Sequence, residues 1–290
     1  MFTVKECEGA IATLVLADSG SQSRAVLAPS RGGLMTRLAL GGRELLYLDE
    51  ATFLDRDSNV RGGCPVLFPS PGKLAGDAWA WGGRGGSMKQ HGFARNLAWE
   101  VARVGTEGSA NVTLHLTSSD ITRAQYPWDF TAEFTYTLSA GALRIAQRFT
   151  NQSDSPMPLG AGFHPYFFVP EAEKAAARVV TSATRAFDNA AKQEVMLGEG
   201  IDLTRDEVDL HLWDHGRSSA ELTRPGAPAV RLSGSPELGH WVVWTLKSRD
   251  FVCLEPWTCP GNALNSGDRL MVLDPGASRT LSLEITSGSA

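Results

Sequence analysis

Strict alternation of apolar and polar residues is the feature that most restricts the fold of this chain. In residues 130–138 an apolar side chain stands at every second position, and residues 143–149 repeat the pattern after a Ser-Ala-Gly turn. A period of two is typical of a β-strand with one buried face. The two runs therefore predict an antiparallel hairpin, in which Gln147 is the one interruption of the alternation.

Similar strand patterns recur along the whole chain. Residues 112–117 and 281–285 alternate in the same way, and residues 38–45 contain a Gly-Gly pair that is typical of a tight hairpin turn. Residues 241–246 and 251–254 are largely apolar runs, which favour strands that are buried on both faces. These patterns predict an all-β protein.

Helical patterns are scarce by comparison. Residues 171–178 (EAEKAAAR) form one short helix candidate, and the glycine-rich residues 82–86 lack the spacing of a phosphate-binding loop and predict a mobile loop instead. No linker, repeat or change of composition divides the chain. We therefore expect a large antiparallel β-sandwich that forms a single domain over residues 1–290.

Charge and composition exclude several classes of protein. A net charge of −5 over 290 residues argues against binding to nucleic acid, because phosphate backbones attract clustered Lys and Arg. The sequence contains neither a signal peptide at its start nor an apolar run long enough to cross a membrane. Four scattered cysteines do not form a disulfide framework. These features predict a cytoplasmic protein with no nucleic-acid or membrane partner.

Three short segments set one ionisable residue among aromatic residues and backbone breakers. They are residues 90–95 (QHGFAR), 162–167 (GFHPYF) and 254–258 (LEPWT). Taken singly, each has an ordinary explanation: His91 could be a loop residue, His164 a hydrogen-bonded core histidine, and Glu255 a strand-end carboxylate that faces solvent. Taken together, a carboxylate and two histidines can perform general acid–base chemistry near neutral pH. Apolar walls would raise the carboxyl pKa and lower the imidazole pKa.

These segments, in this order, resemble the aldose 1-epimerase (galactose mutarotase-like) family. Residues 61–69 (RGGCPVLFP) and 268–276 (DRLMVLDPG) are similar to its substrate segment and its C-terminal region. The resemblance covers essentially the whole chain. It implies the galactose mutarotase-like supersandwich and an isomerase that needs no metal and no cofactor. The expected partner is a small sugar or sugar phosphate, and the expected state is a monomer or weak homodimer.

The resemblance also implies roles for particular residues. Glu255 would be the general base that removes the anomeric hydroxyl proton, and His164 the general acid that protonates the ring oxygen. His91 would position the substrate. Arg61 would contact sugar hydroxyls or a phosphate, and Asp209 is a weaker match to a carboxylate that holds sugar hydroxyls.

Two questions about function stay open from the sequence. The substrate is either a free aldose or a hexose 6-phosphate, for which Arg61 and Arg95 would grip the phosphate through their planar forks. The alternative to an enzyme is a non-catalytic carbohydrate-binding protein on the same sandwich. A glycosidase is disfavoured because it needs two opposed carboxylates.

The remaining histidines have plainer interpretations. His211 and His215 do not fit a zinc motif, since the HExxH glutamate is missing. His115 lies on the polar face of a strand, and His240 is expected in a loop.

Overall fold

The computed structural model describes residues 1–288. The strands are β1 (Phe2–Cys7), β2 (Thr13–Asp18), β3 (Ser23–Ala28), β4 (Leu34–Leu40), β5 (Arg43–Glu44), β6 (Val66–Leu67), β7 (Ala78–Trp81), β8 (Arg84–Ser87), β9 (Glu100–Gly105), β10 (Ala110–Thr117), β11 (Phe130–Ser139), β12 (Ala142–Asn151), β13 (Met157–Leu159), β14 (Gly162–Phe163), β15 (Tyr166–Phe168), β16 (Arg178–Val180), β17 (Arg185–Asp188), β18 (Gln193–Met196), β19 (Glu207–Leu212), β20 (Ser219–Arg224), β21 (Ala227–Gly234), β22 (His240–Leu246), β23 (Phe251–Trp257), β24 (Met271–Leu273) and β25 (Ser278–Ser287). The helices are α1 (Glu50–Leu54), α2 (Asp120–Arg123) and α3 (Ala263–Ser266), with 3-10 turns at Ala75–Asp77, Ala94–Asn96 and Glu171–Glu173.

Two eight-stranded sheets form the sandwich. The back sheet has the order β16-β20-β21-β25-β12-β11-β10-β9, and the cleft sheet has the order β18-β17-β19-β22-β23-β14-β6, with β15 also paired to β23. Strands β1 to β5 form a separate five-stranded meander. The paired strands run antiparallel. The predicted all-β antiparallel sandwich is therefore confirmed.

Aromatic side chains join the two large sheets across the core. Phe134 of β11 meets Phe163 of β14 with ring centroids 5.9 Å apart, and Phe149 of β12 stacks on Phe68 at 5.1 Å. All four rings are fully buried. Such pairs bury large apolar areas and prefer edge-to-face or offset geometry, so they fix the distance and orientation of the sheets.

The alternation of the sequence decides what each strand of the cleft sheet presents outward. On β19, Val208, Leu210 and Leu212 are buried in the core, whereas Asp209 and His211 point to the opposite face. Every residue of β23 is buried, which confirms the prediction for residues 251–254.

Two local predictions were wrong. Residues 171–178 contain one 3-10 turn rather than a helix, because a run this short cannot repay helix nucleation and Lys174 turns inward to donate to the Leu246 carbonyl oxygen at 2.7 Å. The predicted loop at residues 82–86 is part of the hairpin β7–β8. Gly82 and Gly83 both have positive φ values, 57° and 77°, as a two-residue hairpin turn with two left-handed positions requires.

The prediction of a loop at His240 was also wrong, since His240 is the first residue of β22 and is buried. His115 does lie on the polar side of β10, where its ring is 2.9 Å from Glu100. Within residues 1–288, no helix has the length and apolar character that a membrane crossing would need.

Candidate active site

An open cleft of about 820 Å³ lies on the outer face of the cleft sheet. The residues that the sequence singled out all line it: Arg61, His91, Arg95, His164, Asp209 and Glu255. They come from β19, β23 and three connecting segments. The fold therefore brings together side chains that are up to 194 positions apart in the chain, Arg61 and Glu255.

Glu255 is at the bottom of the cleft. Strand alternation puts Cys253, Glu255 and Trp257 on the same face of β23, and the register sets Glu255 opposite Val242 of β22. The residue is 1% exposed, so the alternative of a solvent-facing strand-end carboxylate is wrong. The indole Nε1–H of Trp257 donates to Glu255 Oε2 at 3.1 Å.

His164 faces Glu255 from the connection between β14 and β15. Its backbone N–H donates to the Pro65 carbonyl oxygen at 3.0 Å, and its ring stacks on Tyr166 with centroids 4.8 Å apart. These contacts hold the ring so that Nε2 lies 3.4 Å from Glu255 Oε1. The other ring nitrogen, Nδ1, is buried without a hydrogen-bond partner among residues 1–288.

His91 occupies a left-handed backbone position, with φ +71°, immediately before Gly92. Gly92 cannot be replaced easily, because a Cβ there would lie 2.2 Å from the Phe68 carbonyl oxygen. The backbone N–H of Gly72 donates to His91 Nδ1 at 3.0 Å. A neutral imidazole that accepts at Nδ1 carries its proton at Nε2, and the Gln90 side-chain amide lies 3.2 Å from that nitrogen.

Burial moves the proton affinities of this group in opposite directions. The loss of solvent raises the pKa of Glu255 well above its ordinary value, and nearby Asp209 raises it further, while the Trp257 hydrogen bond and Arg95 oppose the rise. Burial lowers the pKa of His164 to about 3, and Arg95 lowers it too. Burial therefore favours a protonated Glu255 beside a neutral His164, an arrangement in which the pair holds one proton.

Two arginines lie beside this pair. The Arg61 guanidinium is 5.4 Å from the centre of the Trp244 ring, and both residues line the cleft. Arg95 donates through Nη2 to the Gln90 carbonyl oxygen at 3.0 Å, but its buried Nε has no partner among the described residues.

The sequence model of the aldose 1-epimerase family matches residues 14–286 of the chain. The chain belongs to the aldose 1-epimerase family. A galactose mutarotase-like protein from Clostridium acetobutylicum shares the fold with a TM-score of 0.83 and 19% identity, over 100% of this chain and 99% of the other.

Two relatives are more similar in sequence. The Slr1438 protein from Synechocystis sp. PCC 6803 is 35% identical, with a TM-score of 0.93 over 100% of both chains. A protein from Salmonella typhimurium that is provisionally named a glucose-6-phosphate 1-epimerase is 32% identical over 111 residues. That match spans 38% of this chain and only 35% of the relative.

The sequence patterns did not identify several residues that line the cleft. Phe187 and Trp213 stack in parallel, 5.7 Å apart, and Trp213 is 49% exposed. In the strand register, His211 lies between Phe187 and Glu255. The alternation of Asp209, His211 and Trp213 was a usable signal, because residues two apart on a strand share a face.

One group in the described chain has the composition of a metal site. Ligand atoms of His164, Cys253 and Glu255 lie within 4.8 Å of one another. Burial and the neighbouring Glu255 raise the pKa of the Cys253 thiol well above its ordinary value. Because a metal needs the thiolate, this donor set is poorly suited to bind one.

Proposed function

We propose that this protein is an aldose 1-epimerase that interconverts the α and β anomers of an aldohexose. The observation that carries the proposal is the 3.4 Å contact between His164 Nε2 and Glu255 Oε1, buried in an open cleft. Opening a hemiacetal ring removes a proton from the anomeric hydroxyl and adds one to the ring oxygen. These two oxygens are bonded to the same carbon, so an acid and a base in contact can reach both.

The shared proton of the pair makes this reaction reversible. When Glu255 is ionised and His164 protonated, Glu255 takes the anomeric hydroxyl proton and His164 protonates the ring oxygen. The ring opens, the C1–C2 bond turns, and closure on the other face returns both protons. Ring opening converts ionised Glu255 and protonated His164 into protonated Glu255 and neutral His164, and ring closure reverses this. The total charge of the site therefore does not change.

The surrounding residues would bind and orient the sugar. The Nε2–H of His91 would donate to the ring-oxygen region, since its ring lies 5.4 Å from that of His164. Arg61 and Asp209 line the same cleft and would hold sugar hydroxyls. The Phe187 and Trp213 rings would cover apolar C–H faces of the sugar.

Phosphorylated hexose is a second candidate substrate because the cleft contains several cations. Arg61, Lys73, Arg95 and Lys192 line it, although the whole chain is acidic. The relative from Salmonella carries a name of this kind. Arg95 adds a specific observation: its buried Nε has no hydrogen-bond partner within residues 1–288, and a phosphate oxygen could accept from it.

The test compares anomer exchange for glucose, galactose and glucose 6-phosphate, measured by polarimetry or NMR. Acceleration of the free sugars supports the first candidate, and acceleration of the phosphate alone supports the second. For the second candidate, Arg95→Met should lower kcat/KM for the phosphate by a much larger factor than kcat/KM for the free sugars. Sugar binding with no acceleration of any anomer exchange would favour a carbohydrate-binding protein instead.

A further inference from the structure

A row of polar contacts crosses the cleft wall from the β17–β18 turn over β19 to β22. Lys192 Nζ donates to Asn189 Oδ1 at 2.7 Å, and Asn189 Nδ2 donates to Asp209 Oδ2 at 2.6 Å. On the neighbouring outward position of β19, His211 Nδ1 lies 2.9 Å from Nε2 of His240. The acid–base reaction described above uses neither histidine.

This row of contacts is interrupted between Asp209 and His211. Asp209 Oδ1 is 3.8 Å from His211 Nε2, which is too far for a hydrogen bond. A carboxylate oxygen and a ring nitrogen thus stand side by side on the cleft wall, and both residues line the cleft. Such a pair can accept from and donate to one hydroxyl group at the same time.

Asp209 and His240 together fix which His211 nitrogen carries the proton. Burial lowers the pKa of His211, against the opposing effect of Asp209, and lowers that of His240 to about 3, so burial favours the neutral form of both rings. One nitrogen of the contact must donate and the other accept. The carboxylate of Asp209 favours a proton on the near nitrogen of His211, Nε2. His211 Nδ1 then accepts from the Nε2–H of His240.

We infer that His211 is a specificity-determining residue that, together with Asp209, binds one ring hydroxyl of the sugar, and that His240 positions its donor. The inference rests on the proposed function, because it requires a sugar in the cleft. It extends the set of substrate contacts to a residue that the sequence motifs do not include.

The strand register indicates which side of the sugar ring His211 reaches. His211 is opposite Val242, and Val242 is opposite Glu255. Two strand spacings of about 4.8 Å separate the backbones of His211 and Glu255 by roughly 10 Å. With the anomeric carbon at Glu255, His211 reaches the far side of the ring, where the hydroxyls at C3 and C4 lie.

The experiment replaces the donor and removes the hydroxyl in parallel. His211→Phe keeps a ring against Trp257, whose centroid is 5.5 Å away, but removes the N–H. Dissociation constants and kcat/KM are measured for glucose and for its 3-deoxy and 4-deoxy analogues. His115→Phe, on the exposed polar side of the back sheet, is the matched control.

The inference predicts a loss of about tenfold for glucose, typical of one hydrogen bond to a substrate. For one of the two deoxy sugars, His211→Phe and the unchanged protein should bind equally well. His240→Phe should lose glucose affinity with the same selectivity. His240→Gln, whose amide can donate to His211, should restore much of the lost affinity.

Two results would overturn the inference. One is an equal loss for glucose and both deoxy sugars, which would mean that His211 only supports the fold. The other is no loss at all. The dissociation constants keep this test separate from the proposed function: a protein that binds the sugars with this selectivity but does not speed anomer exchange would sink the epimerase proposal and leave the role of His211 intact.

Discussion

Replacing Glu255 by Gln should stabilise the folded protein, and the gain should grow with pH. The amide can copy the protonated carboxyl, because its oxygen can accept from Trp257 Nε1 and its NH₂ can donate to His164 Nε2. No charge has to be buried in the variant. The native carboxyl, 1% exposed, must either keep its proton or ionise without solvent.

The magnitude follows from proton linkage. The unfolded chain releases the Glu255 proton near its ordinary pKa of 4.5, whereas the folded chain keeps a proton on the pair to a much higher pH. Over that interval the folded state binds more protons than the unfolded state, so the stability of the native protein relative to the variant falls as pH rises. The expected slope over that interval is about 1.4 kcal/mol per pH unit.

Urea unfolding of both proteins at several pH values measures this difference. Glu207→Gln is the matched control, because Glu207 lies exposed at the cleft rim and its replacement removes the same charge from a solvated position. Parallel stability profiles for the native protein and Glu255→Gln would refute the reasoning, since they would mean that Glu255 ionises as easily in the fold as in the unfolded chain.

Three further predictions concern neighbouring residues. His164→Gln should lower kcat for anomer exchange about 10²–10⁴-fold, as the loss of one acid–base group does. Trp257→Phe should move the alkaline limb of the pH–rate profile upward, because the lost hydrogen bond holds the pKa of Glu255 down; the acid limb should stay near the His164 pKa of about 3. Gly92→Ala should cost more than about 2 kcal/mol in urea unfolding, whereas Gly82→Ala, with open space around its Cβ, should cost about 1 kcal/mol.

The sequence predicted the strands well where burial is one-sided. The hairpin at residues 130–149 appears as β11 and β12, because alternation directly encodes which face is buried. At Gln147 the strand continues through the interruption: the residue is fully buried, and neither amide atom has a partner within residues 1–288. Neighbouring apolar residues on the same face hold the register there.

Cross-strand contacts lay beyond sequence reasoning. The contact between His211 and His240, which are 29 positions apart, depends on the register of β19 against β22. Likewise, the residues that resemble family motifs predicted the chemistry of the site, but the 3.4 Å distance between His164 and Glu255 comes only from the packing of β23 beside the β14–β15 connection.

The proposed catalysis and the proposed stability cost have the same cause. Burial raises the pKa of Glu255 and so weakens the fold as pH rises, and in the proposed reaction the same burial would let one proton pass between Glu255 and His164. A variant that is more stable and inactive would connect the two effects.

The most direct test of this account is NMR exchange spectroscopy on an equilibrium mixture of sugar anomers with the native protein and Glu255→Gln. Glucose, galactose and glucose 6-phosphate are each measured at protein concentrations where binding is verified. The account predicts accelerated exchange for at least one sugar with the native protein, and a rate near background with the variant although the sugar still binds. Undiminished exchange with Glu255→Gln would contradict it.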